Sequence, residues 1–255
     1  MPANYARFLL GTQRSLRANK QLGLVLAFVA GAINAGGFLA VHQYTSHVTG
    51  MVSSLADNLA MGEIGLVADA AVGVCSFLLG AICCSVMVNL ARRRGLASEY
   101  ALPLLLEAGL ILAFGLAGAQ LSAYQGLLLP FTVVLLCFIM GLQNAMVTKL
   151  SNAVIRTTHM TGIVTDLGIE IGRLLYWNRD VAAPSPVYAD RGRIAVLAAL
   201  LGCFLAGGLT GAFGFRQLGF GFTVPLALVL LGLALVPTVD ELRRVLLGWR
   251  SKRPR

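Results

Sequence analysis

Charge is scarce in this sequence. Asp, Glu, Lys and Arg make up 12% of its 255 residues, against 57% that are hydrophobic. A soluble domain carries about 25% charged residues, so a soluble globular class is excluded at the outset. Cysteine is nearly as uninformative: Cys75, Cys83, Cys84, Cys137 and Cys203 all fall inside apolar runs, which leaves no disulfide framework and no zinc site of regular spacing. A retained first span is expected in place of a removable leader. The run Leu22 to Val41 behind Arg7, Arg14, Arg17 and Lys20 is too long for one and lacks a small-x-small cleavage pattern. The formal net charge is +9, but its Lys and Arg residues sit in short clusters between apolar segments, where membrane topology accounts for them and nucleic-acid binding does not.

What is abundant is long apolar runs. A hydrocarbon layer takes about 20 residues to cross as a helix, and six stretches qualify: Leu22 to Val41, Leu66 to Leu90, Tyr100 to Gly118, Tyr124 to Ala145, Ile194 to Phe213 and Leu218 to Val236. Two further segments, Thr45 to Met61 and Thr157 to Gly172, are shorter and carry His, Asp, Asn and Glu. If both dip into the membrane and return, Arg92 to Arg94, Lys149, Arg156, Arg173, Arg179, Arg191, Arg193 and the cluster from Arg243 to Arg255 all fall on the side of the N-terminus, leaving Arg216 opposite. Full crossings would put Arg92 to Arg94 outside, against the positive-inside bias. The expectation is therefore an all-α polytopic membrane protein with six transmembrane helices and two short re-entrant helices, both termini cytoplasmic, in a bacterial inner (plasma) membrane.

The two short segments repeat one another. Thr45-Ser-His-Val-Thr-Gly-Met-Val-Ser-Ser-Leu55 returns as Thr157-Thr-His-Met-Thr-Gly-Ile-Val-Thr-Asp-Leu167, and Gly31-Ala-Ile-Asn34-Ala35 returns as Gly141-Leu-Gln-Asn144-Ala145. The chain divides accordingly into a basic N-terminus (1–21), a first repeat (22–119), a second repeat (120–238) and a basic tail (239–255). An odd number of crossings per repeat inverts the second relative to the first. The tail mixes Leu246, Leu247 and Trp249 with basic residues, as expected of a segment resting on anionic lipid. Gly207 and Gly211, followed by Gly214, permit close helix approach and are assigned to packing.

Through the paired Thr-Gly motifs and Gly141-Leu-Gln-Asn-Ala145, nearly the whole chain resembles the YoaK-like family of uncharacterised bacterial membrane proteins, a domain of unknown function. Where that family's pattern often carries Asp and Asn, this chain has Asn34 and Met51. The resemblance implies no substrate.

Inverted repeats commonly hold a solute at the midplane, where broken helices expose backbone groups. On a helix, His47, Gly50, Ser54 and Asn58 fall on one face, as do His159, Gly162, Asp166 and Glu170; Thr49, Ser53 and Asp57 form a second stripe. Thr49-Gly50 and Thr161-Gly162 are expected to start the short helices, with hydroxyls capping free amides and N-termini favouring an anion or another strong acceptor. Asn34, His47, Thr49, Gly50, Asn144, His159, Thr161 and Gly162 are the candidate solute-binding residues. Asp57, Glu107, Asp166 and Glu170 are the candidate proton-coupling carboxylates, since an ionisable group in a span is a functional candidate by default. Two symmetry-related His do not make a metal site.

The expected function is a transporter or facilitator of a small polar or anionic solute, proton-coupled, through a midplane site of opposed half-helices. It is not an enzyme and needs no cofactor; its partners are the solute, membrane lipid and, in a homo-oligomer, its own copies, with no nucleic acid. Three alternatives stay open. These are an aquaporin-like channel, although the Asn-Pro-Ala motif is absent, a non-transporting accessory protein, and a membrane-embedded enzyme.

Overall fold

A computed structural model describes residues 9–10, 16–96, 98–121, 123–150, 160–176 and 187–251. Its described residues form helices α1 (Leu16–Val41), α2 (Val48–Met61), α3 (Ile64–Arg93), α4 (Ala101–Ala119), α5 (Gln125–Leu150), α6 (Met160–Leu175), α7 (Arg191–Leu218) and α8 (Thr223–Ser251), with no strand among them. Arg7, Arg14, Arg156, His159, Arg179 and the basic side chains of the 239–255 tail lie outside the described residues and side chains.

Among the described residues, five stretches are long and apolar enough to cross a membrane. The last, Arg191–Val236, holds two helices: α7 and α8 are joined by a single 3-10 turn, Gly219–Phe222. Gly219 has φ 58° there, a left-handed value that glycine adopts without strain. The expected span at Leu218 to Val236 thus begins with that turn, and the helix proper starts at Thr223.

α2 has 14 residues, about 21 Å at 1.5 Å per residue, too short for a hydrocarbon core of about 30 Å. Its ends explain its path. α1 stops at Val41, and His42 takes φ 53°, the left-handed conformation that reverses a helix end. The chain then turns back along α1: Thr45 is buried, and Ser46 Oγ donates to Asn34 Oδ1 at 2.9 Å. Asn34 lies seven residues before the end of α1, about 10 Å in from it. α2 therefore starts at depth. It stops at Gly62, φ 78°, whose N–H and that of Glu63 close on the Leu59 and Asn58 carbonyls, a terminus that requires glycine. α3 begins directly after it, so α2 and the first turns of α3 form a tight hairpin.

Four of the long helices, α1, α3, α5 and α7, are held in pairs at one recurring motif. Within these four helices Phe-x-x-Gly occurs at Phe28–Gly31, Phe77–Gly80, Phe138–Gly141 and Phe204–Gly207. In each case a Cβ on the glycine would strike the backbone carbonyl of the phenylalanine on a partner helix: Gly31 meets Phe204, Gly207 meets Phe28, Gly80 meets Phe138, and Gly141 meets Phe77. The two helix pairs, α1 with α7 and α3 with α5, are thus locked reciprocally, backbone against backbone. Such close approach stands in for hydrophobic driving force where the solvent is lipid.

Contact registers fix the helix directions. Gly207, Gly211 and Phe215 meet Phe28, Ala32 and Gly36 in that order, so α1 and α7 run parallel. Ser76 Oγ bonds Val134 O at 2.6 Å, Gly80 meets Phe138, and Lys149 Nζ bonds Asn89 Oδ1 at 3.3 Å; α3 and α5 are parallel as well. α1 and α5 are antiparallel, since Gln143 Nε2 bonds Leu26 O at 3.2 Å while Leu136 lies against Gly37. Near the α7–α8 turn, Phe114, Phe215, Phe220 and Phe222 form a ring cluster with centroids 5.5 to 6.1 Å apart, packed over Gly118 and Gly214.

Overpacking a tight contact costs roughly 1–3 kcal/mol, and a backbone carbonyl cannot swing aside. Gly31→Ala and Gly141→Ala are therefore expected to lower the melting temperature of the detergent-purified protein. Gly109→Ala, where nothing lies within 4 Å, is the control and should leave it unchanged or raise it.

Candidate functional site

The polar face of α2 opens on a cavity of about 610 Å³. His47, Gly50, Ser54 and Asn58 all line it, together with Asp69 from α3, Pro130 and Val133 from α5, and His42 and Gln43 from the returning chain. A volume of this size is that of a small-molecule site. One wall is polar and the α5 wall is apolar.

Local geometry sets the polar wall. His47 occupies the position before α2, where it makes no side-chain capping bond, and its imidazole lies over the first turn. A Cβ on Gly50 would come within 2.6 Å of His47 Nδ1, so Gly50 is what lets the ring rest there. Asn58 is 8% exposed, and its Nδ2 donates to Ser54 Oγ at 3.0 Å. Thr49 is the second residue of α2 and is exposed; it does not occupy the capping position. Asp57 is exposed and lies outside the cavity lining.

The matching face of α6 has different surroundings. Asp166 and Glu170 stand where Ser54 and Asn58 stand in α2, and both are engaged by arginine. Arg193 Nη2 bonds Asp166 Oδ2 at 2.9 Å and its Nη1 lies 3.7 Å from Glu170 Oε1, which also takes Arg173 Nη1 at 2.9 Å. Glu170 Oε2 accepts from the Asp190 N–H at 3.0 Å, and Asp190 in turn caps α7 at Arg193 N. Glu170 is 1% exposed. These carboxylates tie α6 to the start of α7. Thr161 and Gly162 are exposed on α6, and no α6 residue lines the cavity of α2. His159 lies outside the described residues.

Asn34 holds Ser46, as above, and Asn144 is buried on α5. Glu107 sits inside α4 at 0% exposure, and neither carboxylate oxygen has a hydrogen-bond partner among the described residues. No group of three or more His, Cys, Asp or Glu is placed to hold a metal among the described residues.

Asp69 is the cavity residue that sequence reading passes over. The signal was present: it is an acidic residue inside the apolar run Leu66 to Leu90, and the rule that singles out Glu107 applies to it equally. His42 gave no signal, because its place in the cavity follows from the backbone reversal.

The family model described as "Protein of unknown function (DUF1275)" matches residues 22–236. The chain belongs to this family, of which the YoaK-like proteins are members. No curated protein and no solved structure matches it. Composition and helices make it a helical multi-pass membrane protein.

Arg193 contacts both α6 carboxylates, and hydrogen bonds to charged groups contribute about 1.5–3 kcal/mol. Arg193→Ala is expected to lower the melting temperature, with Arg193→Lys intermediate because a point charge cannot reach both carboxylates as a fork does. Equal melting of all three proteins would show that the tie contributes nothing.

Proposed function

We propose that the chain is a membrane transporter or facilitator of a small polar solute, that the α2 cavity is its solute site, and that its halves are inverted. Helix direction supports the inversion. α3 runs with α5 and therefore against α1, so a chain that crosses in α1 and recrosses in α3 must return α2 to the side it left. The same holds for α6 between α5 and α7. Each half then makes three crossings, six in all, with α2 and α6 re-entrant from opposite faces.

The side follows from charge. Arg17, Lys20, Arg92, Arg93, Arg94, Lys149, Arg173, Arg191 and Arg193 all lie toward the face of α6, and Arg216 lies toward the other. By the positive-inside bias the α6 face is cytoplasmic, in the inner membrane of a bacterium, and the α2 cavity opens outward.

The observation that carries the transport reading is the contrast between equivalent positions. In α2 the polar face lines an open cavity; in α6 it is closed by arginine. A protein with one half open and its inverted counterpart tied shut is arranged as an outward-open state of an alternating-access cycle. Breaking the Arg193 contacts would free the inner half, while Glu107, buried and without a hydrogen-bond partner among the described residues, would take up a proton in the same cycle. No enzymatic step and no cofactor enter this reading, and the midplane meeting of the two half-helices belongs to its intermediate states.

Reconstituted protein is expected to take up a radiolabelled polar solute from a mixed panel with saturable kinetics, and Asn58→Leu to reduce the initial rate tenfold or more at equal incorporation. Flux equal to that of protein-free liposomes for every solute would contradict the proposal.

A further inference from the structure

The charge of the solute is written around the cavity. Between Lys20 and Arg92 the sequence contains no Lys or Arg, while Asp57, Glu63 and Asp69 fall on the α2–α3 hairpin. Among the described residues the cavity lining has one carboxylate, Asp69, which is exposed, and no arginine or lysine. Low-dielectric walls focus the field of such a group into the cleft, which raises the local concentration of cations and excludes anions.

Hydrogen-bonding capacity points the same way. The Asn58 side chain is more than nine-tenths buried at the cavity wall and spends an N–H on Ser54 Oγ. With that N–H on Ser54, the amide still brings its carbonyl oxygen, an acceptor, to the cavity wall. The Asp69 carboxylate is acceptor-only when ionised. A ligand that satisfies both must donate. The opposite wall, Leu129, Pro130 and Val133, asks for an apolar body. A bare metal ion is poorly served, since the lining offers a single carboxylate and the volume is far larger than an ion.

From these features we infer that the α2 cavity binds a small organic cation, a protonated amine on a short carbon skeleton, with Asp69 as counter-ion and the Asn58 carbonyl as hydrogen-bond acceptor. The inference rests on the cavity being the solute site and replaces the expectation of an anion drawn from the helix N-termini. The same ammonium chemistry can come from a free amine or from the headgroup of an aminophospholipid.

The test is a thermal-shift titration of the purified full-length protein with ethylammonium and putrescine, against butyrate and glycerol at matched ionic strength. Saturable shifts are expected from the amines alone, at least tenfold weaker in Asp69→Asn and unchanged in Asp57→Asn, which alters an exposed carboxylate outside the cavity. The titration is repeated in nanodiscs of phosphatidylglycerol with and without phosphatidylethanolamine. Loss of the amine shift only with phosphatidylethanolamine identifies the headgroup as the source, and retention in both identifies a free amine. Shifts from butyrate and not from the amines would overturn the cation while leaving the cavity a solute site. No shift from any probe, with Asp69→Asn folded and melting as the parent, would overturn both. Amine shifts undiminished in Asp69→Asn would remove Asp69 as the counter-ion and with it the inference.

Discussion

The structure depends on one interaction repeated four times, a helix backbone lying against the glycine of a neighbouring helix. In lipid the apolar side chains of α3 and α7 gain little by leaving their surroundings for one another, so association rests on van der Waals packing at close range. The Phe-x-x-Gly sites supply it, pairing Gly31 with Phe204 and Phe28 with Gly207, then Gly80 with Phe138 and Phe77 with Gly141. The register of the contacts that follow each site, Gly211 on Ala32 and Phe215 on Gly36, then Ser76 on Val134 and Asn89 on Lys149, sets α1 parallel to α7 and α3 parallel to α5. The first helix of each half is thereby clamped to the second long helix of the other.

That interlock dictates what α2 and α6 can do. Each short helix lies between two long helices running in opposite directions, so neither needs to span and each is free to carry polar residues. α2 uses the freedom to begin at depth beside Asn34, with His47 folded over Gly50 and Asn58 and Asp69 lining a cavity. α6 bears carboxylates at the equivalent positions and is tied to α7 by Arg193, with its own Arg173 also on Glu170. A common frame with one half open and one half tied is the physical basis for reading the molecule as a transporter.

Much of this was legible in the sequence because composition and periodicity dictate it. The apolar run Leu66 to Leu90 falls within α3, which extends at its two ends to Ile64 and Arg93. The face His47, Gly50, Ser54 and Asn58 follows from helical spacing alone. The turn at Gly219–Phe222 was hidden, since Gly-Phe-Gly-Phe is apolar and reads as span. The arginine partners of Asp166 and Glu170 were hidden for another reason: Arg193 lies 27 and 23 residues further along, and no local pattern encodes that pairing. The four Phe-x-x-Gly sites stand in plain view, yet a lone glycine in a span reads as packing until its partner carbonyl is known.

Inversion is the central claim, and sidedness tests it most directly. In a variant with the native cysteines replaced, Ser53→Cys on α2 and Val164→Cys on α6, both at exposed positions, are treated with a membrane-impermeant maleimide in intact spheroplasts and in inside-out vesicles. The account predicts that Ser53→Cys reacts in spheroplasts and Val164→Cys in inside-out vesicles. Reaction of both from the same side would contradict it.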